Sequence, residues 1–244
     1  VAVVVEPLVQ GAAGLIVHPE GYLRGLRAIT RRRGTLLIAD EVAVGFGKTG
    51  SLFACAREGV TPDFLCLAKG ITGGYLPLAA TLTTEAVYSA FFGTAADGTT
   101  FQHGHTYGGN PLGAAVALAS LQVFDDERTL ELLPPKVECL RRRLAELAQL
   151  PHVGDVRQCG LIAGIELVAD TATKAPFPPG AQVGARICRR AREFGLLIRP
   201  LGDVLVVMPP LAITVAQLDA MLDVMATCIR LEVGPEAADG PPAD

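Results

Sequence analysis

Long apolar runs are missing from this 244-residue chain. The longest uncharged stretch, Thr106 to Phe124, contains Asn110, Pro111 and Gln122 and is continuously apolar only in its second half, too short and too polar to span a bilayer. No basic segment precedes Val1-Ala2-Val3-Val4-Val5, so no signal peptide is expected; without an initiator Met before this run, the sequence is expected to be a piece of a longer one. An excess of basic charge is also lacking: 21 Lys+Arg against 25 Asp+Glu leave a formal charge of −4, no electrostatic ground for binding DNA or RNA. The one basic cluster, Arg31-Arg32-Arg33, stands just before Gly34, where cations complement a helix C-terminus. The six cysteines (Cys55, Cys66, Cys139, Cys159, Cys188 and Cys228) show no C-x-x-C or zinc-like spacing and read as buried free thiols of a cytoplasmic protein. His103 and His105 form an H-x-H pair with no Cys or further His close by, so no metal site is expected. No internal repeat is present, and no G-x-S-x-G elbow that would anchor a hydrolase triad. Gly45-Phe46-Gly47-Lys48-Thr49-Gly50 matches the dinucleotide fingerprint in letters only. Ser51-Leu52-Phe53-Ala54-Cys55 follows it, and Asp63 precedes the next strand instead of ending it, so it reads as a glycine-rich turn. Val42 at the first-glycine position rules out a Walker A loop.

What is present is a well-supplied core. Half the residues are hydrophobic and 19% are charged, which excludes disorder of the whole chain, and the length allows one large domain or two small ones. The first part alternates strand and helix signals: Val1–Val5 as a strand buried on both faces, Pro19 to Arg33 as a helix, then Leu36–Ala39, Phe64–Ala68 and Leu78–Leu82 as strands, and Leu112 to Phe124 as a small-residue helix. Strands separated by helices predict an α/β layer with a mainly parallel sheet. Beyond Pro134-Pro135, which interrupts, Val137, Leu140, Leu144 and Leu147 recur at helical spacing. Short strands are expected at Leu161–Leu167, Leu196–Arg199 and Val204–Met208, and Thr214 with Gln217 forms a capping box before a last helix from Val215 to about Leu231. The expected division is a larger domain over 1–125, a smaller α/β domain over 126–233 and a disordered tail over 234–244.

The chemistry centres on two strand ends. Asp40 ends the strand Leu36–Ala39 and Lys69 the strand Phe64–Ala68, and in parallel α/β sheets ligands bind beyond the carboxyl ends of strands. A lysine there is expected to be desolvated, which favours the neutral, nucleophilic amine, and an aspartate in the same crevice can pair with a protonated heterocyclic nitrogen. Lys plus Asp in this arrangement suits a pyridoxal phosphate enzyme. From pattern alone, a structural ion pair between the two stays open.

Leu37-Ile38-Ala39-Asp40-Glu41-Val42, the Gly45–Gly50 segment, Thr61-Pro62-Asp63 and Leu67-Ala68-Lys69-Gly70, in this order and spacing, resemble the signature of class III aminotransferases, pyridoxal phosphate enzymes of fold type I. The resemblance runs from Val1 to about Leu231 and corresponds to the C-terminal part of the family chain: part of the large, mostly parallel-sheet domain plus the small α/β domain. Lys69-Gly70-Ile71-Thr72-Gly73-Gly74-Tyr75-Leu76-Pro77-Leu78 and His103-Gly104-His105-Thr106-Tyr107-Gly108-Gly109-Asn110-Pro111 are most similar to the branch that aminates 8-amino-7-oxononanoate with adenosylmethionine as donor, in biotin biosynthesis.

The resemblance implies a role for each matching residue. Lys69 would form the Schiff base with pyridoxal 5'-phosphate and shuttle the proton; Asp40 would keep the pyridine nitrogen protonated; Val42 would pack on a ring face. Thr106, with the backbone of His105, would bind the phosphate of the cofactor in the neighbouring subunit, which implies a homodimer with shared active sites. Gly104 would lie against the substrate and Arg199 would grip its carboxylate. Glu6 would support the site, or be a strand-end acid facing solvent or a salt-bridge partner. Some positions depart from the pattern: Val206 stands where the branch usually has a tyrosine and several class III relatives an arginine, and Ala43-Val44 and Gly109 vary from the commonest forms. The family's glycine-serine phosphate cup and ring-stacking aromatic, which lie in its N-terminal half, are not found in these residues. The alternatives are another class III aminotransferase acting on an ω-amino acid or diamine, and a non-catalytic fragment.

Overall fold

The computed structural model describes residues 1–234. The expected disordered tail therefore lies, from 235 onward, outside the described residues. The chain forms two compact units, one made of Val1–Leu8 and His18–Leu130, the other of Val9–Val17 and the residues from Glu131 onward. Val9–Val17, inside the expected first domain, thus groups with the second unit.

The first unit is an α/β layer. β1 (Ala2–Val5), β4 (Leu36–Asp40), β5 (Phe64–Leu67) and β6 (Ala80–Thr83) form one sheet in that order. The first three run parallel, with Val5 opposite Ala39 and Asp40 opposite Cys66, and β6 returns antiparallel. The expectation that Val1–Val5 is buried on both faces is corrected: among the described residues β1 pairs with β4 alone, and Val4 is 65% exposed. Helix α1 (Tyr22–Arg33) packs Leu23 and Leu26 against Leu37, Ala39, Cys55 and Val60. It begins later than Pro19, at Gly21 with φ +82°, and its N-terminal N–H groups are capped from a distance: Glu58 accepts from Gly21 N–H at 3.0 Å and from Arg24 N–H at 2.9 Å. The triple arginine does close the helix, ahead of a left-handed Gly34. The short helix α2 (Glu85–Ser89) is capped by Thr84, and α3 (Pro111–Asp126) starts at Asn110, whose side chain accepts from Leu112 N–H. Phe46, Leu67, Ile71 and Ala117 form a further core cluster, with Leu78 and Phe124 packed against it.

The second unit is an antiparallel sheet, β7 (Val153–Cys159), β8 (Ile162–Leu167), β10 (Val204–Val207) and β9 (Pro200–Leu201), with helices α4 (Leu133–Leu147), α5 (Val183–Glu193) and α6 (Val215–Val233). A two-stranded ribbon, β2 (Val9–Gln10) with β3 (Ile16–Val17), belongs to it. Pro134 and Pro135 do not interrupt α4; they sit in its first turn, where a missing N–H costs nothing. Leu196–Arg199 is not a strand, because only Pro200 and Leu201 pair with β10. The capping box holds as expected: Thr214 N–H donates to Gln217 Oε1 at 2.9 Å, and Gln217 N–H to Thr214 Oγ1 at 3.1 Å.

Candidate active site

Three of the expected site residues leave the first sheet at one edge. Asp40 is the last residue of β4, Lys69 follows β5 by two residues, and Glu6 comes directly after β1, one step beyond the Val5–Ala39 pair. This is the carboxyl edge of parallel strands, where α/β folds place ligands. The backbone of Lys69 is unusual: its φ is +47°, a left-handed conformation that disfavours a residue carrying Cβ. Ala68 before it is extended, and the short turn Lys69–Thr72 is closed by Ile71 N–H to Ala68 O at 3.2 Å and Gly73 N–H to Gly70 O at 3.1 Å. Gly70 is required here, because a Cβ on it would lie 2.8 Å from the Cβ of the buried Phe46. Strained backbone of this kind persists where the surroundings over-determine it, and it clusters at functional sites.

Lys69 is not desolvated as expected; its residue is exposed, because the turn lifts it clear of the apolar strand. Nor does the structural ion pair form: among the described residues no salt bridge joins Lys69 to Asp40. Asp40 is half-buried, and its Oδ1 accepts from Val42 N–H at 3.0 Å, leaving Oδ2 without a hydrogen bond among the described residues. An exposed primary amine and a carboxylate with one uncommitted oxygen, both at the carboxyl edge of one sheet, are a donor set that fits an aldehyde-bearing cofactor with a basic ring nitrogen. Val42 is half-buried on the loop after β4. Glu6 is half-buried and has an interaction partner.

Gly104, His105 and Thr106 lie on an exposed segment of the same unit. His105 Nδ1 accepts from Tyr107 N–H at 3.2 Å and His105 O from Gly108 N–H at 2.9 Å, and Thr106 between them is exposed. His103 stacks on Phe101 with ring centroids 5.4 Å apart, and among the described residues no group of three or more His, Cys, Asp or Glu is placed to hold a metal. Arg199, in the second unit, is exposed just ahead of β9, and its carbonyl accepts from Val206 N–H at 3.3 Å.

Two acids that received no role are structurally committed. Glu41 is fully buried, and its oxygens accept from Ala54 N–H at 2.6 Å and Cys55 N–H at 2.7 Å. Burial pushes its carboxyl above the ordinary value, and these two bonds oppose that. The strand's period of two signals it, since Leu37, Ala39 and Glu41 share the buried parity while Asp40 faces the other way. Asp63 is gripped by Arg27 through two bonds of 2.6 and 3.0 Å and accepts from Leu37 N–H at 2.7 Å. Thr49 is buried with its hydroxyl unpaired, and burial lowers the pKa of Lys48 beside it.

The class III aminotransferase family model matches residues 1–229. Over 239 residues the chain is 58% identical to an adenosylmethionine-8-amino-7-oxononanoate aminotransferase of Nitratidesulfovibrio vulgaris, covering 98% of this chain and 44% of that protein. A crystal structure of the enzyme of that name from Methanocaldococcus jannaschii superposes with a TM-score of 0.93 at 42% identity, covering 95% of this chain and 54% of the other. An (S)-enantioselective omega-transaminase from Thermomicrobium roseum gives a TM-score of 0.88 at 38% identity, covering 93% of this chain and 50% of the other. The chain thus spans about half the length of the relatives it matches. With the signature residues in sequence, parallel strands delivering Asp40 and Lys69 to one edge, and the match running nearly end to end, this chain belongs to the class III aminotransferases of fold type I.

Proposed function

We propose that this chain carries the lysine-bearing part of a pyridoxal phosphate-dependent aminotransferase that moves an amino group from adenosylmethionine to 8-amino-7-oxononanoate, in the cytoplasm. The observation that carries this reading is the presence, at one sheet edge, of both an exposed, left-handed Lys69 and the half-committed carboxylate of Asp40. The name borne by the Nitratidesulfovibrio and Methanocaldococcus proteins supports the choice of substrates. When bound, pyridoxal phosphate supplies an electrophilic carbonyl and a ring that takes up an electron pair.

The remaining work falls to the chain's own side chains. Lys69 Nζ holds the cofactor and moves the proton at the reacting carbon. The free oxygen of Asp40 accepts from the ring N–H, while its committed oxygen keeps the carboxylate oriented. Val42 supports one ring face. Thr106 Oγ1 and the His105 backbone N–H bind the phosphate belonging to a second copy in a homodimer, and Gly104 lets the substrate approach closely. Arg199 binds the acceptor's carboxylate with its planar fork, and Glu6 supports the substrate end.

The test is Lys69→Ala in the full-length protein. Loss of the violet absorbance of covalently held cofactor and of amino transfer is expected; retention of that absorbance overturns the assignment. A second reading, an aminotransferase for ω-amino acids or diamines, is favoured by Val206 in place of the branch's tyrosine and by the likeness to an omega-transaminase. Turnover with pyruvate or 2-oxoglutarate as amino acceptor, and none with adenosylmethionine as donor, selects it.

A further inference from the structure

Glu41 is joined to four places at once. Its N–H donates to Cys66 O in β5 at 2.9 Å, its carbonyl accepts from Gly45 N–H at 2.9 Å, and its two carboxylate oxygens hold Ala54 and Cys55 across the loop. The loop from 42 to 53 is therefore closed on itself by one buried side chain. Gly45 belongs to the closure as well, since a Cβ there would lie 2.8 Å from Glu41 O. In the middle of the loop sits Phe46, itself left-handed at φ +54° and 4% exposed. Its Cβ meets Gly70, and its ring lies edge-on to Phe53 at 5.6 Å. Gly70 is the second residue of the turn that opens with Lys69.

We propose that Glu41 is a positioning residue: by closing the 42–53 loop it seats Phe46 against the Lys69–Gly70 turn and so fixes the left-handed backbone of Lys69. Its consequence for catalysis rests on the reading of Lys69 as the cofactor-holding amine, whereas the coupling itself stands on the packing alone. The chemistry is particular to glutamate. Glutamine has one acceptor oxygen for two converging N–H donors and turns its NH2 toward one of them, and aspartate is one methylene too short to reach both.

Hydrogen exchange followed by mass spectrometry, on the cofactor-free full-length protein, tests the coupling. In Glu41→Gln the segment 68–75 is expected to exchange about tenfold faster or more, while α1 and β6 keep their wild-type rates. Phe46→Leu, which leaves the carboxylate and its partners in place, is expected to loosen 68–75 without changing 54–59, and it carries the test if Glu41→Gln does not fold. On adding pyridoxal phosphate, the pH midpoint of the bound cofactor's absorbance is expected to move in both variants. If exchange accelerates only at 53–59, or if Phe46→Leu leaves 68–75 at the wild-type rate, Glu41 is a cap for the 54–58 turn and the proposal is overturned. Lys69→Ala separates the two readings: absorbance retained in that variant defeats the cofactor assignment, and the exchange rates still decide the role of Glu41.

Discussion

Asp40 has one oxygen committed to its own loop and one open, and that division makes a sharp test. In Asp40→Asn the amide oxygen can still accept from Val42 N–H, so the loop stays in place, but the amide NH2 cannot accept from a protonated ring nitrogen. A lost hydrogen bond to a charged group typically costs about 1.5–3 kcal/mol, so turnover is expected to fall roughly ten- to a hundredfold with an unchanged melting temperature. A drop in turnover accompanied by an equal loss of folded protein contradicts the role. Asp63 behaves differently, although it belongs to the same signature. The Arg27 guanidinium holds its carboxyl below the ordinary value of 3.8, so the stability it contributes is present above that pH and is lost as pH falls through the lowered value. Asp63→Asn is expected to lower stability at neutral pH by about 1.5–3 kcal/mol and to flatten the acid limb of the stability curve. Urea unfolding between pH 2 and pH 7 reads both effects.

At the scale of elements, legibility followed how much of each segment's fate was decided locally. β4 and β5 were readable because an apolar run stops at a single polar residue, and the capping box before α6 because its partners are three residues apart. The left-handed φ of Lys69 was not readable: it depends on Phe46, more than twenty positions earlier, pressing on Gly70. The exposure of Lys69 was missed for the same reason. β7 went unread because Asp155, Arg157 and Gln158 break any apolar run. The structure uses that polarity: Arg157 donates to Gly14 O at 2.6 Å and Leu15 O at 3.0 Å and pairs with Glu166 at 2.5 Å, so an arginine in a strand clasps the β2–β3 ribbon. Arg157→Ala is expected to cost about 1.5–3 kcal/mol and to open the 9–17 segment to proteolysis. Unchanged cleavage there means that the ribbon is held by packing alone.

At the scale of the whole molecule, six aromatic residues of the first unit, Tyr75, Tyr88, Phe91, Phe92, Phe101 and Tyr107, are each exposed. Thr106, also exposed, adjoins Tyr107 of this set. The proposed sharing of sites, with Thr106 of one copy serving the cofactor of the other in a two-fold dimer, is measurable. Lys69→Ala removes the amine of a copy's own site, while Thr106→Ala removes the phosphate contact that the copy gives to its partner. Each variant alone is expected to be inactive at limiting cofactor. In a mixed dimer one site loses both groups and the other keeps both, so unfolding the two variants together and refolding them at equal amounts is expected to restore about a quarter of the wild-type activity, one good site in each mixed dimer and half the dimers mixed. If both residues serve the same copy's site, every site in every dimer lacks one group, and mixing restores nothing.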